Sequence, residues 1–219
     1  MLKVAIIGAG PLGRWLAFAA ARAGYPVLLE DVMPANLHHA QEYIRQQYCS
    51  APSGQLGNEP REIGPESQRQ STRSQSPGVT FVSTIEEAVR DADLVIDCVP
   101  DELESKLEIF WLLDRMAPPH TVLTTPTTRL SITDLAACTY RPDKCVAIVI
   151  EARDFAAREA AFNDRHRPGL ASTNSGEIPA TELLVRTGLQ TSPETVAIVQ
   201  SFWETLGFMP RFELDPVNP

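Results

Sequence analysis

The N-terminus of this 219-residue chain constrains the fold more than any other feature. Its pattern predicts a strand, then a glycine-rich turn, then a helix. The apolar run from Leu2 to Ile7 is rich in β-branched residues and predicts a buried parallel strand. It leads directly into the pattern G-x-G-x-x-G at Gly8, Gly10 and Gly13. A helical pattern follows over Arg14 to Ala23, so the segment predicts the first half of a βαβ unit.

Each glycine of this turn has its own predicted task in binding a dinucleotide. Gly8 permits the tight turn, Gly10 lets the main chain approach a pyrophosphate, and Gly13 lets the helix and the strand pack closely. Pro11 and Leu12 lie between the last two glycines, at the helix N-terminus, where free N–H groups and the positive end of the helix dipole favour phosphates. The alternative is a glycine-rich turn that binds nothing.

A second predicted strand, Tyr25 to Leu29, leads into two acids, Glu30 and Asp31. Asp31 is the candidate for binding the 2′-hydroxyl of an adenosine ribose, because it lies just past the end of the strand. Val32 and Met33 follow it, so no arginine stands there to accept a 2′-phosphate. The pattern therefore favours NAD over NADP as the cofactor.

Strand and helix patterns alternate along the remaining chain and predict an α/β fold of the Rossmann type. We expect a doubly wound, mainly parallel sheet with helices on both faces, in a single dinucleotide-binding domain over residues 1–219. Residues Ser50 to Gly78 are rich in Ser, Gln, Pro, Gly and Arg, and we expect a disordered surface insertion there. The later predicted strands are Val79–Val82, Leu94–Val99, Thr121–Thr125, Lys144–Ile150, Thr181–Arg186 and Phe208–Leu214. Two later helices are predicted over Pro34–Tyr48 and Glu102–Met116. Three more are predicted from their N-caps: one after Thr84, one after Ser131, and one that runs from Thr191 to Leu206.

Composition excludes several classes of function. The formal net charge of −9 disfavours a nucleic-acid partner or an anionic membrane surface. No apolar run is long enough to span a bilayer, and the N-terminus begins on a strand instead of a signal peptide. The four cysteines lack C-x-x-C spacing, so we expect reduced core thiols; a metal site or a disulfide is the alternative. A cytoplasmic protein is the natural expectation.

Several motifs, in order and spacing, resemble the NAD-binding domain of the 3-hydroxyacyl-CoA dehydrogenases. The resemblance covers residues 1–48 and 79–150, and more weakly 181–215. It implies that Asp101 and Lys106 approach the cofactor, although Lys106 has the alternative of a surface pair with Glu102. The motifs are KVAIIGAGPLG, VLLED, ADLVIDCVPDEL with the following Lys106, APPHTVL, RLSITDLA and TSPETV.

The chain departs from this family at the residues that carry its chemistry. The resemblance implies a histidine base after the sixth predicted strand, and Val149 stands there, which has no titratable group. The asparagine of the same motif is replaced by Ala152. The glutamate that orients the histidine aligns with Leu183, and Glu182 beside it faces the other way along a strand.

Other parts of the family's active site are also changed. The serine that supports the substrate oxygen falls at Thr128, which keeps a hydroxyl and is the catalytic candidate of this chain. Pro126 stands where the family has asparagine. The insertion interrupts the helical arm that cradles coenzyme A, and we see no counterpart of the helical second domain.

Five other residues are candidates for a replacement base. Glu151 lies close to the cofactor-side end of a predicted strand, and His166 lies in an irregular region. His38 and His39 fall on the second helix, and His120 precedes a strand at the opposite end of the sheet. A solvated side chain is the alternative for each of them.

The resemblance implies an oxidoreductase that transfers hydride between NAD and a 3-hydroxyacyl-CoA, and the departures predict weak or lost activity. A catalytically silent NAD-binding sensor or scaffold is the alternative from a different class. A third possibility is a site completed by a partner chain that carries the helical domain, or by a homodimer. The C-terminal aromatic residues are candidates for such a contact or for the core: Phe202, Trp203, Phe208 and Phe212.

Overall fold

The computed structural model describes residues 1–50, 78–150 and 181–216, and these residues contain eight strands in one sheet. The strands are β1 (Val4–Ile7), β2 (Val27–Glu30), β3 (Val79–Val82), β4 (Leu94–Asp97), β5 (Val122–Pro126), β6 (Cys145–Val149), β7 (Thr181–Thr187) and β8 (Phe208–Leu214). Their order across the sheet is β3-β2-β1-β4-β5-β6-β7-β8. Neighbours run parallel except at the antiparallel β6–β7 pair. The predicted Rossmann-type, mainly parallel sheet is thus confirmed.

Helices cover both faces of this sheet, as the alternating pattern predicted. They are α1 (Pro11–Arg22), α2 (Pro34–Ser50), α3 (Ile85–Val89), α4 (Leu103–Met116), α5 (Ile132–Ala136) and α6 (Pro193–Thr205). One apolar cluster joins α1, α2 and α6 to the sheet, and a second cluster joins α3, α4 and α5 to its other face. None of the helices in these described ranges has the length and apolar character needed to cross a membrane.

The central strands supply both clusters because successive side chains of a strand point to opposite faces. Val4 and Ile6 of β1 belong to the first cluster, whereas Ala5 and Ile7 belong to the second. All four side chains are buried, which explains why this strand reads as a continuous apolar run. Strand β1 therefore has no face exposed to solvent.

Two helix boundaries differ from the sequence prediction for local reasons. Helix α1 begins at Pro11 instead of Arg14, since a proline fits the first helical position, where its missing N–H costs nothing. Helix α6 is capped by Ser192, whose Oγ accepts a hydrogen bond from the Thr195 amide at 3.2 Å. Thr191, the predicted cap, donates its hydroxyl to the Cys145 carbonyl at 2.9 Å instead.

The other predicted caps and the aromatic core are confirmed. Thr84 accepts from the Glu87 amide at 3.3 Å, and Ser131 accepts from the Asp134 amide at 3.2 Å. The C-terminal aromatics belong to the core and do not form an exposed contact surface: Phe202, Trp203 and Phe208 are buried, and Phe212 is half-buried.

Some predictions fall on other parts of the chain. Helix α2 continues to Ser50, which was expected to open the surface insertion. The rest of that insertion, residues 51–77, lies outside the described residues, and so do Glu151, Ala152 and His166.

A buried carboxylate ties the segment after β8 to the start of α5. Asp215 Oδ2 accepts hydrogen bonds from Ser131 Oγ at 2.6 Å and from the Thr133 amide at 3.0 Å. The Asp215 amide also donates to the Thr187 carbonyl at 2.8 Å. Asp215 is 2% exposed, so these bonds form away from water and hold β7, β8 and α5 together.

Asp215→Ala should lower the free energy of unfolding by about 2 kcal/mol, because two donors lose a buried charged acceptor. Urea denaturation followed by circular dichroism measures this difference. Asp134→Asn is the control, since it removes an exposed carboxylate from the first turn of the same helix. Equal effects of the two substitutions would contradict the structural role of Asp215.

Candidate cofactor site

The glycine-rich turn between β1 and α1 is closed by contacts that only glycine allows. Gly8 has φ +100°, and a Cβ there would lie 3.0 Å from the Cys98 carbonyl oxygen. A Cβ at Gly13 would lie 1.8 Å from the Gly8 carbonyl oxygen, far inside contact distance. The Gly8 amide donates to the Glu30 carbonyl at 2.8 Å, which fixes the turn against the end of β2.

Gly10 differs from the other two glycines of the motif. A Cβ there would meet no atom of the described residues within 4 Å. Gly10 is the N-cap of α1 and its carbonyl accepts from the Arg14 amide at 3.0 Å, so the first-turn amides of Leu12 and Gly13 have no partner within the helix. This part of the turn is thus shaped to receive an anionic group against the main chain.

Asp31 is anchored by three donors at the end of β2. Its carboxylate accepts from the Ala9 amide and from the Met33 amide, each at 2.8 Å. Asn36 Nδ2 lies 3.1 and 3.2 Å from the two carboxylate oxygens. Asp31 is 8% exposed, so the acid predicted to bind a ribose also holds the glycine-rich turn to β2.

Glu30 is a second buried acid beside Asp31. It lies between Ile7 of β1 and Val82 of β3 in the sheet, and it is 5% exposed. Burial raises the pKa of its carboxyl to about 7, and the Asp31 carboxylate adds to the shift. This burial could not be predicted from the residue types alone, because it depends on the placement of Glu30 between two neighbouring strands.

An ion pair buried between β4 and α4 forms the next part of the site. Lys106 Nζ lies 3.0 Å from Asp97 Oδ2, and both side chains have no exposed surface. Thr125 Oγ1 donates to the same oxygen at 2.9 Å, and the Val99 amide donates to Asp97 Oδ1 at 2.9 Å. Burial raises the pKa of Asp97, and Lys106 acts against that shift. The alternative of a surface pair between Lys106 and Glu102 is wrong.

The structure brings Asp101 and Thr128 together at the ends of β4 and β5. Asp101 Oδ2 accepts from the Thr128 amide at 3.2 Å, and the buried Asp101 Oδ1 has no hydrogen-bond partner among the described residues. Arg129 Nη2 donates to the Asp101 carbonyl at 3.2 Å, and Arg186 Nη1 to the Thr128 carbonyl at 3.4 Å. Two loops from neighbouring strands are thus joined beside the glycine-rich turn.

Apolar side chains stand where the resemblance implies an acid–base pair. Val149 at the end of β6 lies directly opposite Leu184 of β7. The residue facing Val149 is therefore Leu184 and not Leu183, which is buried in the first apolar cluster. Glu182 is exposed and its Oε1 lies 3.0 Å from Arg211 Nε, so it is no replacement for an orienting glutamate.

The histidines among the described residues lie away from this site. His38 and His39 are exposed on α2, and His38 Nε2 lies 3.7 Å from Glu42 Oε1. His120 precedes β5 at the other end of the sheet, where its Nε2 lies 3.3 Å from Asp93 Oδ1. These placements agree with the expected solvated side chains.

Three residues of the site were not predicted from the sequence: Asp97, Thr125 and Arg186. Asp97 had a usable signal, because a carboxylate that ends an apolar strand pattern is the feature that pointed to Asp31. Thr125 and Arg186 had none, because their contacts depend on which strands lie side by side.

Comparisons with known proteins identify the family of this chain. The model of the 3-hydroxyacyl-CoA dehydrogenase NAD-binding domain family matches residues 3–149. A probable 3-hydroxybutyryl-CoA dehydrogenase of Bacillus subtilis is 31% identical over 146 residues, which are 67% of this chain and 47% of that protein. A 5-formyl-3-hydroxy-2-methylpyridine 4-carboxylate 5-dehydrogenase of Mesorhizobium japonicum is 25% identical over 216 residues. That match covers 95% of this chain and 56% of the Mesorhizobium protein.

The chain therefore spans about half the length of these curated relatives. Among solved structures, an (S)-3-hydroxybutyryl-CoA dehydrogenase from Ralstonia eutropha superposes with a TM-score of 0.71 at 18% identity. The superposition covers 97% of this chain and 63% of that one. At this identity the likeness supports the fold.

Glu30 should make the stability of the protein depend on pH. The pKa of the Glu30 carboxyl is about 7 in the folded state, whereas the ordinary pKa of a glutamate, which applies to the unfolded chain, is 4.5. The folded state therefore binds more protons in this range, and the free energy of unfolding falls as the pH rises from about 5 to about 8. Glu30→Gln should reduce that slope in urea titrations at several pH values.

Glu104→Gln is the control, since it removes an exposed carboxylate from the first turn of α4. Parallel stability curves for the wild type and Glu30→Gln over this pH range would contradict the assignment.

Proposed function

Since this chain belongs to the family of the 3-hydroxyacyl-CoA dehydrogenase NAD-binding domain, we propose that it binds NAD but oxidises a hydroxyacyl substrate weakly or not at all. One observation carries the second half of the proposal. Val149 stands where the resemblance implies the histidine base, and Leu184, the residue paired with it across β6 and β7, has no titratable group either. The turn between β1 and α1 meanwhile keeps the three glycines that a dinucleotide needs.

The glycine-rich turn fits the pyrophosphate of NAD. Gly8 and Gly13 close the turn, while Gly10 leaves room for a group against the main chain. Pro11 and Leu12 supply the first turn of α1, whose positive dipole end favours the phosphate charge. These five residues are our proposed pyrophosphate site.

Asp31 is our proposed ligand for the adenosine ribose. Three donors already orient its carboxylate, and a carboxylate offers about four lone-pair sites. A 2′-phosphate would place negative charge beside the Asp31 carboxylate, which supports NAD over NADP.

We place the nicotinamide half of the cofactor beside Asp101 and Thr128. When bound, NAD supplies the hydride acceptor or donor. The Oδ1 atom of Asp101 is buried without a partner among the described residues, so it can accept a hydrogen bond from a ligand amide. Thr128 is the proposed catalytic residue, because its hydroxyl can support a substrate oxygen. Lys106 is also part of the proposed cofactor site. It lies near the start of α4, where its ammonium pairs with Asp97.

Loss of the base limits any hydroxyacyl chemistry. Neither valine nor leucine can accept the proton of a substrate hydroxyl. General base catalysis contributes about 10²–10⁴ to a rate, so a residual activity would lie that far below a complete enzyme. The intact turn and the missing base together also favour our second candidate, a silent NAD-binding sensor or scaffold.

An acyl-CoA is the substrate class that we propose for any residual activity, since 3-hydroxybutyryl-CoA is named for the Bacillus relative. A second copy of this chain, or a separate chain with a helical domain, is the partner that we propose for such a substrate site. The four cysteines are free thiols, which supports a cytoplasmic location.

Binding and turnover are tested together. Titration with NADH should quench protein fluorescence and enhance nucleotide fluorescence, and NADPH should bind more weakly. In the presence of acetoacetyl-CoA, NADH oxidation should stay at the rate without protein. Turnover well above that background, lost in Thr128→Ala, would contradict the silent site, and a lack of NADH binding would contradict the whole proposal.

Gly10→Val should weaken NADH binding by about 100-fold or more, because its side chain would occupy the space of the pyrophosphate. The fold should survive, since a Cβ at Gly10 meets no described atom within 4 Å. Gly24→Ala is the control, a substitution at a glycine with φ +94° that lies after α1 and away from the turn. It is expected to affect stability and to leave the NADH dissociation constant unchanged.

A further inference from the structure

We infer that the buried network of Asp97, Lys106 and Thr125 is a positioning device for the loop that faces the glycine-rich turn. This inference rests on the proposed binding of NAD. Lys106 would then influence cofactor binding indirectly. It holds Asp97, which holds the main chain of the loop, and it does not contact the cofactor itself. We call residues 98–102 the β4–α4 loop.

The contacts of the network are directed at this loop. One oxygen of Asp97 is held by Lys106 Nζ at 3.0 Å and by Thr125 Oγ1 at 2.9 Å. The other oxygen accepts from the amide of Val99, in the β4–α4 loop, at 2.9 Å. The carboxylate thus links α4 and β5 on one side to the loop main chain on the other.

The loop in turn forms one wall of the glycine-rich turn. The Cys98 amide donates to the Ile7 carbonyl at 2.7 Å, and the Cys98 carbonyl oxygen lies 3.0 Å from the Cβ position of Gly8. Asp101 sits at the far end of the same loop and binds the Thr128 amide. A shift of the loop would therefore move both the wall of the pyrophosphate site and the proposed nicotinamide contacts.

Burial excludes a direct role for the ammonium in this arrangement. Lys106 has no exposed surface, and its ammonium lies on Asp97 inside the molecule. A buried ion pair is also a weak source of stability, because desolvation offsets most of its Coulomb attraction. Well-packed apolar side chains would hold α4 against β4 as firmly, but they would leave the Val99 amide without its acceptor.

A second buried ion pair lies at the opposite end of α4 and makes a matched comparison. Arg141 Nε lies 2.9 Å from Asp114 Oδ1, and the guanidinium also donates to the carbonyls of Asp114, Ala117 and Pro118 at the end of the helix. These bonds satisfy carbonyls that the last turn leaves unpaired. This pair stabilises the helix end and lies away from the cofactor site.

The test replaces each pair by apolar residues and measures NADH binding. Asp97→Leu with Lys106→Met should leave the protein folded and weaken NADH binding about tenfold, because the loop loses its anchor. Asp114→Leu with Arg141→Met should lower the melting temperature and leave the dissociation constant within about twofold. Equal NADH affinity of the first variant and the wild type would overturn the inference, whereas a wild type that fails to bind NADH would overturn the proposed function.

Salt dependence separates an indirect from a direct role of Lys106. The dependence of NADH affinity on salt concentration should be the same in the wild type and in Asp97→Leu with Lys106→Met, because no cation at the phosphates is lost. A weaker salt dependence in that variant would show direct phosphate contact and would overturn the inference.

Hydrogen exchange tests the anchor in the wild type, independently of how the variants fold. The Val99 amide should exchange slowly in the free protein and no more slowly with NADH, because Asp97 already holds it. Exchange of this amide as fast as that of a solvent-exposed loop amide would overturn the inference.

Discussion

The close approach of α1 to the turn before it is the constraint on which the rest of the structure depends. A Cβ at Gly13 would lie 1.8 Å from the Gly8 carbonyl oxygen, so this position requires glycine. Gly8 has φ +100°, a conformation that also favours glycine. The same turn is held to β2 through the Gly8 amide and to β4 through the Cys98 amide. Three neighbouring strands therefore meet at one point of the main chain, and the cofactor site is built around it.

The two halves of the proposed site have different chemical character. The half that we propose for the pyrophosphate consists of main-chain groups and small residues, with Asp31 anchored beside them. The half that we propose for catalysis contains Thr128 and Asp101, but the pair formed by Val149 and Leu184 is apolar. Binding and proton transfer are separate physical tasks, since the first needs shape and dipoles and the second needs a titratable group. Among the described residues, the glycines for the first task are present, and the base position of the second task is occupied by Val149.

The sequence predicted the parallel sheet, its two covered faces and the glycine-rich turn, because these follow from short-range patterns of apolar and small residues. It failed where two adjacent residues compete for one role. Ser192 caps α6, although Thr191 precedes it with an equally suitable hydroxyl, because the Thr191 hydroxyl is bound to β6. The resemblance implies the orienting glutamate at Leu183, but the residue opposite Val149 is Leu184, because strand register depends on pairing across the sheet.

The sequence by itself determined the βαβ unit, the preference for NAD and the lack of a base at Val149, since each depends on residue type and local spacing. Only the tertiary structure decided the environment of the acids and of Lys106. Glu30 and Asp97 look like ordinary carboxylates in the sequence, yet both are buried, and Lys106 is bound to Asp97 away from water. The physical reason is that desolvation and ion pairing depend on what packs against a side chain from distant parts of the chain.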